Sequence, residues 1–213
     1  MRGIADGTRL RVSYYHPHII NEGQVCACVS EAAFNALLQR QAADVHRLWG
    51  APGYMMSHDE WRVLNWCAAC QSRQLAPGQI AADNVRTCTG ILHATAPGAR
   101  VYVWSDMFDP HHNAKSNYYL VNGDLAGSWS GLAQDVTIMN WNSGHASESL
   151  KFFADRGHRQ IIAAYYDAPL AHTRQWLEKA KGVPGVQGVM FTTWKANYSE
   201  LEAFAKMLDG AGF

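Results

Sequence analysis

"RVYVWSDMFD", residues 100–109, runs through branched and aromatic residues to Trp104 and then stops abruptly in Ser105 and Asp106. A short apolar run of this composition reads as a strand, here one that ends in polar and aromatic side chains rather than in a bland turn. The same shape recurs in "GYMMSH" (53–58), "DVTIMNW" (135–141), "RQIIAAYYD" (159–167) and "VQGVMFTTW" (186–194), and "RLRVSYY" (9–15) reads as an earlier strand. Helical patterns lie between them. Ser30 can cap a helix whose apolar residues Phe34, Leu37, Leu38, Val45 and Leu48 recur at helical spacing, with Gly50 at its end. A second helical region breaks at "APG" (76–78) and resumes with Ile80, Val85, Cys88, Ile91 and Leu92 on one face. Three more are expected at 145–156, at 169–181 with Pro169 near the start, and at 199–209 with Ser199 as cap.

Alternating strands and helices predict a parallel sheet. No Gly-rich phosphate loop follows any strand, so a TIM-type (β/α) barrel is favoured over a doubly wound sheet. About six strands are recognisable where a closed barrel needs eight and about 250 residues. The expectation is therefore a single domain over 1–213 that is an incomplete barrel lacking amino-terminal units. Its sheet edges call for cover, by a second copy in a homo-oligomer or by a missing amino-terminal part.

Composition narrows the function classes. Lys plus Arg and Asp plus Glu number 18 each, and with no basic stripe there is nothing to attract a phosphate backbone or an anionic membrane surface. No apolar run approaches the roughly 18 residues of a membrane span, and "MRGIADGTRL" lacks a signal-peptide core, so a cytoplasmic location is expected. Charged residues make up only 17%, against eight Trp and nine Tyr, which suits a filled core and an aromatic-lined pocket. Five Cys argue against a complete disulfide framework. "CAAC" (67–70) has metal or redox spacing, but no second Cys or His pair stands at a suitable distance along the chain, so the cysteines are expected to be buried structural thiols and no metal or cofactor is expected.

In a parallel α/β fold the carboxyl ends of the strands share one face, where sites are built. Asp59 and Glu60 fall at one such end. On a regular strand adjacent residues point to opposite faces, but at the turn out of the strand both can serve one pocket, and paired carboxylates are the equipment of glycosidic-bond cleavage. The alternative is that "HDE" (58–60) only caps the following helix. Trp104, Trp141 and Trp194 end three other strands and would meet around one mouth, suited to the apolar faces of a sugar ring. Tyr165 and Asp167, two apart, are expected to share a face.

In this order the motifs resemble the β-N-acetylhexosaminidases, family 20 of the glycoside hydrolases, from about residue 29 onward. They are an Asp-Glu pair, Trp-x-x-x-Phe-Asp in "WSDMFD" (104–109), Trp141, Tyr-x-Asp in "YYD" (165–167) and Trp194. The resemblance implies a substrate-assisted retaining mechanism in which the sugar's own 2-acetamido oxygen attacks the anomeric carbon. It makes Glu60 the general acid and base, Asp59 the group orienting the acetamido, and Tyr165 its hydrogen-bond partner. Trp104, Trp141 and Trp194 become the subsite walls, with Asp106, Asp167 and His16 as further sugar contacts. The sequence departs from the family in two recognisable places: Ser57 and His58 stand where Gly-Gly is usual, and Ala196 replaces the Glu of the last-strand Trp-Gly-Glu. Two rivals remain. "HPH" (16–18) with His58, His111 and His112 fits a metal-dependent hydrolase of the amidohydrolase kind, and a barrel that kept its aromatic mouth without turnover would be a carbohydrate-binding remnant.

Overall fold

A computed structural model describes residues 4–11 and 26–209. The strands are β1 (Gly53–Met55), β2 (Val63–Leu64), β3 (Arg100–Trp104), β4 (Leu120–Val121), β5 (Thr137–Asn140), β6 (Gln160–Tyr166) and β7 (Val186–Thr192). The helices are α1 (Ala32–Trp49), α2 (Ala68–Gln71), α3 (Pro77–Thr95), α4 (Ala146–Ala154), α5 (Leu170–Ala180) and α6 (Leu201–Leu208). Five strands form one parallel sheet in the order β1-β3-β5-β6-β7. Strand order follows chain order without reversal, so the sheet is wound in one direction, as half of an α/β barrel is. All five carboxyl ends therefore lie along one edge.

Two expectations change. The strand expected at 9–15 finds no strand at 9–11, and 12–15 lie outside the described residues, as do His16 and His18. Among the described residues the main sheet has five strands, and a small parallel pair, β2 with β4, was not anticipated. Those two strands are each only two residues long, too short to show an alternation.

The core forms where the helices' apolar faces meet the sheet. Ile80, Ala81 and Val85 of α3 pack with Val101 and Val103 of β3 and Ile138 of β5, joined by Phe108 and Phe153. Leu150 of α4 and Trp176 and Ala180 of α5 cover Ile162 and Ala164 of β6 in a second cluster. The helix starts differ from expectation. Glu31 and Glu200, not Ser30 and Ser199, precede α1 and α6, and neither makes a side-chain cap; Ser30 instead lies 3.3 Å from the Cys70 thiol. Gly50 ends α1 in the left-handed conformation, as expected. No residue of α1 is buried, and Trp49 at its end is 72% exposed.

The approach of α3 to the segment 125–131 leaves no room for side chains. A Cβ on Gly131 would lie 2.1 Å from the Ala82 carbonyl oxygen, and one on Gly78 would lie 2.1 Å from that of Ala126. Both obstacles are backbone, so they cannot swing aside. Gly131→Ala is expected to cost about 1–3 kcal/mol by forcing α3 and the 125–131 segment apart, read as a lower urea midpoint at unchanged m-value. An unchanged midpoint would contradict this packing.

Candidate active site at the strand ends

Asp59 and Glu60 stand in the turn out of β1. Ladder bonding continues past the strand, with Met56 N–H donating to Tyr102 O (2.8 Å) and Trp104 N–H to Ser57 O (3.0 Å). The chain then leaves the sheet sharply. Ser57, His58 and Glu60 all take positive φ (65°, 63° and 43°), which costs a non-glycine residue roughly 1–2 kcal/mol. Specific bonds hold this turn. The Ser57 hydroxyl donates to Asp59 Oδ1 (2.5 Å), and the Glu60 N–H donates to Asp106 Oδ2 (2.8 Å). The His58 ring is buried, with Nδ1 3.0 Å from Met56 O and Nε2 3.0 Å from Asn84 Oδ1, and it stacks on Trp61. Burial lowers the His58 pKa, against the upward pull of its contacts with Met56 O and Asn84, and the ring serves as a strut of the turn.

Around this turn the three strand-end tryptophans converge. Asp59, Glu60, Trp104, Trp141 and Trp194 line one open cavity of about 370 Å³. The elements that supply them are β1, β3, β5 and β7, so the meeting follows from the sheet order. Arg62, which sequence reasoning did not single out, reaches Glu60 Oε2 at 2.5 Å and lies over the Tyr119 ring. Nothing in its spacing marks it beyond its place two residues after Glu60.

Other expected site residues have different surroundings. Asp106 is fully buried: Oδ2 accepts from Glu60 N–H and Asn113 Nδ2 (2.9 Å), and Oδ1 accepts from Trp141 Nε1 (3.1 Å). It therefore positions the acidic turn and one tryptophan wall from below. Burial pushes its pKa up to about 6, against the downward pull of these three donors.

Tyr165 is 3% exposed and stacks on Phe191 at 4.0 Å, with Phe204 at its edge, so its ring belongs to the β6–β7–α6 packing. Asp167 lies past the end of β6 with φ 53°, so strand alternation does not reach it. Its carboxylate accepts from Thr193 Oγ1 (2.5 Å) and from the N–H groups of Trp194 (2.5 Å) and Lys195 (3.1 Å). The Thr193 hydroxyl first, then those two amides, hold it below the ordinary carboxylate range. Asp167 thus ties down the loop that carries Trp194.

Asp109, the last residue of the "WSDMFD" motif, is also buried. It accepts from Ser149 Oγ (2.5 Å), Asn142 Nδ2 (3.3 Å) and the His111 N–H (2.8 Å), fastening β5's exit to α4.

No protein-family model matches this chain, and no curated protein does. Among the described residues the histidines form no metal-holding group; only Cys28, Cys67 and Cys70 come together in one. No helix among the described residues is long and apolar enough to cross a membrane.

Proposed function

We propose that the chain is a glycoside hydrolase acting on β-linked N-acetylhexosamine, built on an incomplete TIM-type barrel. The observation that carries this reading is the cavity in which Asp59 and Glu60 face Trp104, Trp141 and Trp194. Its volume of about 370 Å³ falls within the range for small-ligand sites, and its walls are aromatic with carboxylates at one side. A sugar presents the complement: apolar ring faces and polar rims. The left-handed φ values of Ser57 and His58 add support, because the resemblance expects glycines at these two positions.

In this reading Glu60 protonates the departing oxygen and later removes a proton from water, and Asp59, steadied by Ser57, orients the acetamido group. Asp106 fixes the Glu60 backbone and the Trp141 indole, so the acid and one wall move together. Tyr165, its ring packed against Phe191, is not among the residues that line this cavity, so no acetamido contact is assigned to it.

The test compares an aryl N-acetyl-β-glucosaminide with the matching aryl β-glucoside, which lacks the acetamido nucleophile. Turnover of the first alone is the expected result. Equal turnover of both would rule out substrate assistance.

A second reading, a carbohydrate-binding protein without turnover, is favoured by the pairing of Glu60 with Arg62 and by the engagement of Asp167 with its own loop. Sugar binding with no release of the aryl group would establish it in place of the first. In either case β1 and β7 each have one neighbour in the described sheet, and self-association through these edges is part of the proposal. A strictly monomeric species in sedimentation would oppose that part alone.

A further inference from the structure

The cysteines contradict the expectation of buried thiols with no partner pair. Cys26 and Cys67 are exposed, Cys28 is half-buried and Cys70 alone in this group is buried. The pair that "CAAC" lacked along the sequence is "CAC" (26–28), which the fold brings alongside it. Cys28 Sγ lies 3.1 Å from Cys67 Sγ and 3.6 Å from Cys70 Sγ, and the three sulfurs all lie within 4.8 Å of one another. Cys26, Cys28, Cys67 and Cys70 line a single cavity of about 440 Å³, with Cys26 Sγ 3.6 Å from Val63 O.

We propose that Cys26, Cys28, Cys67 and Cys70 bind one zinc ion as a tetrahedral, four-thiolate structural site. Sulfurs placed about 2.3 Å from a common ion sit about 3.8 Å apart; the 3.6 Å between Cys28 and Cys70 is close to that edge, and the 3.1 Å between Cys28 and Cys67 must open by less than about 1 Å to reach it. Three corners are thus nearly in place, and Cys26, two residues from Cys28 and in the same cavity, is the fourth. Cys67 immediately precedes α2, and Cys70 lies within it, so one short helix carries both thiols of this pair. Binding replaces four S–H protons by four metal–sulfur bonds, with no change of oxidation state.

The mechanical consequence is a staple. On one side it holds the segment leading into α1, a helix with no buried residue of its own. On the other it holds the chain that runs on from Glu60 through Arg62 and β2. With all four positions filled by sulfur the ion has no open site for water, so its role is structural. This inference does not depend on the glycosidase reading.

The test is metal analysis of the full chain, purified under reducing conditions without chelator. About one zinc per chain is expected, falling at least tenfold in the Cys67→Ser/Cys70→Ser variant. Because that variant can fail through misfolding, the native chain is also stripped and titrated with cobalt(II), which should give the visible bands of a tetrahedral cobalt–thiolate centre. Cys26→Ser should weaken cobalt binding and alter those bands while the chain remains folded by circular dichroism. Metal-free protein that gives no cobalt spectrum overturns the proposal. So does a chain lighter by two hydrogens that regains its thiols on reduction, since Cys28 and Cys67 would then be a disulfide.

Discussion

Glu60→Gln is expected to lower turnover of an aryl N-acetyl-β-glucosaminide by about 10²–10⁴-fold, the contribution of a positioned general acid and base. The substitution keeps the side chain's shape and one oxygen facing Arg62, so folding and sugar affinity should change little. The loss belongs in kcat. A leaving group that needs no protonation should recover much of the first step, whereas an alkyl leaving group should recover none. If Glu60→Gln works within about threefold of the native chain on both, Glu60 is not the acid and the carboxylates only shape the turn. The native chain separates the two functional readings, because a carbohydrate-binding protein releases no aryl group even with Glu60 in place.

Asp106 should give the largest effect on stability. Asp106→Ala removes the acceptor for three donors at once, the Glu60 N–H, Asn113 Nδ2 and Trp141 Nε1. Each buried donor left without a partner costs about 1–3 kcal/mol, so a loss of about 3 kcal/mol or more is expected, together with loss of the site geometry. The pH dependence has a definite sign. An ordinary Asp titrates near 3.9 when unfolded, and burial raises folded Asp106 to about 6. Between these values the folded chain holds a proton that the unfolded chain has lost. The stabilisation is fully present below about pH 4 and is lost as pH rises through about 6. The difference of two pKa units corresponds to about 3 kcal/mol.

Asp106→Asn cannot titrate, so the difference in unfolding free energy between it and the native chain should change across pH 4–6 and be flat above. A difference that stays flat throughout would remove Asp106 as a buried titrating group. Ligand affinity should also break near pH 6 in the native chain, because the charged carboxylate is the better acceptor for the Glu60 amide and the Trp141 indole.

Much of this architecture is legible from residue patterns. The five apolar runs beginning with "GYMMSH" mark the sheet strands, because a strand buried under helices is a continuous apolar run and its exit is not. Their order in the sheet repeats their order in the chain, so the gathering of Trp104, Trp141 and Trp194 beside Asp59 and Glu60 was deducible before any coordinate.

The departures share one physical cause: a pattern tells which face a side chain takes, but not what stands opposite. Asp106 looked like a sugar contact until Asn113 and Trp141 were found bonded to it. Alternation paired Tyr165 with Asp167, but a register shift between Ala163 and Tyr165 and a left-handed Asp167 lie outside any period-two rule. "CAAC" seemed partnerless because its partner is 39 residues away, counted from Cys28 to Cys67, and nothing local links two loops that the fold closes together.

By itself, then, the sequence determined the five strands of the main sheet and the helices between them, their parallel winding and the identity of the side chains at the strand ends, since each is a matter of local period and of residue type at a boundary. The tertiary structure alone decided which carboxylates are open to a ligand, which are sealed beneath it, and which thiols meet. Those outcomes depend on approaches of a few ångströms between segments far apart in the chain, and burial and hydrogen bonding there set the chemistry of each group.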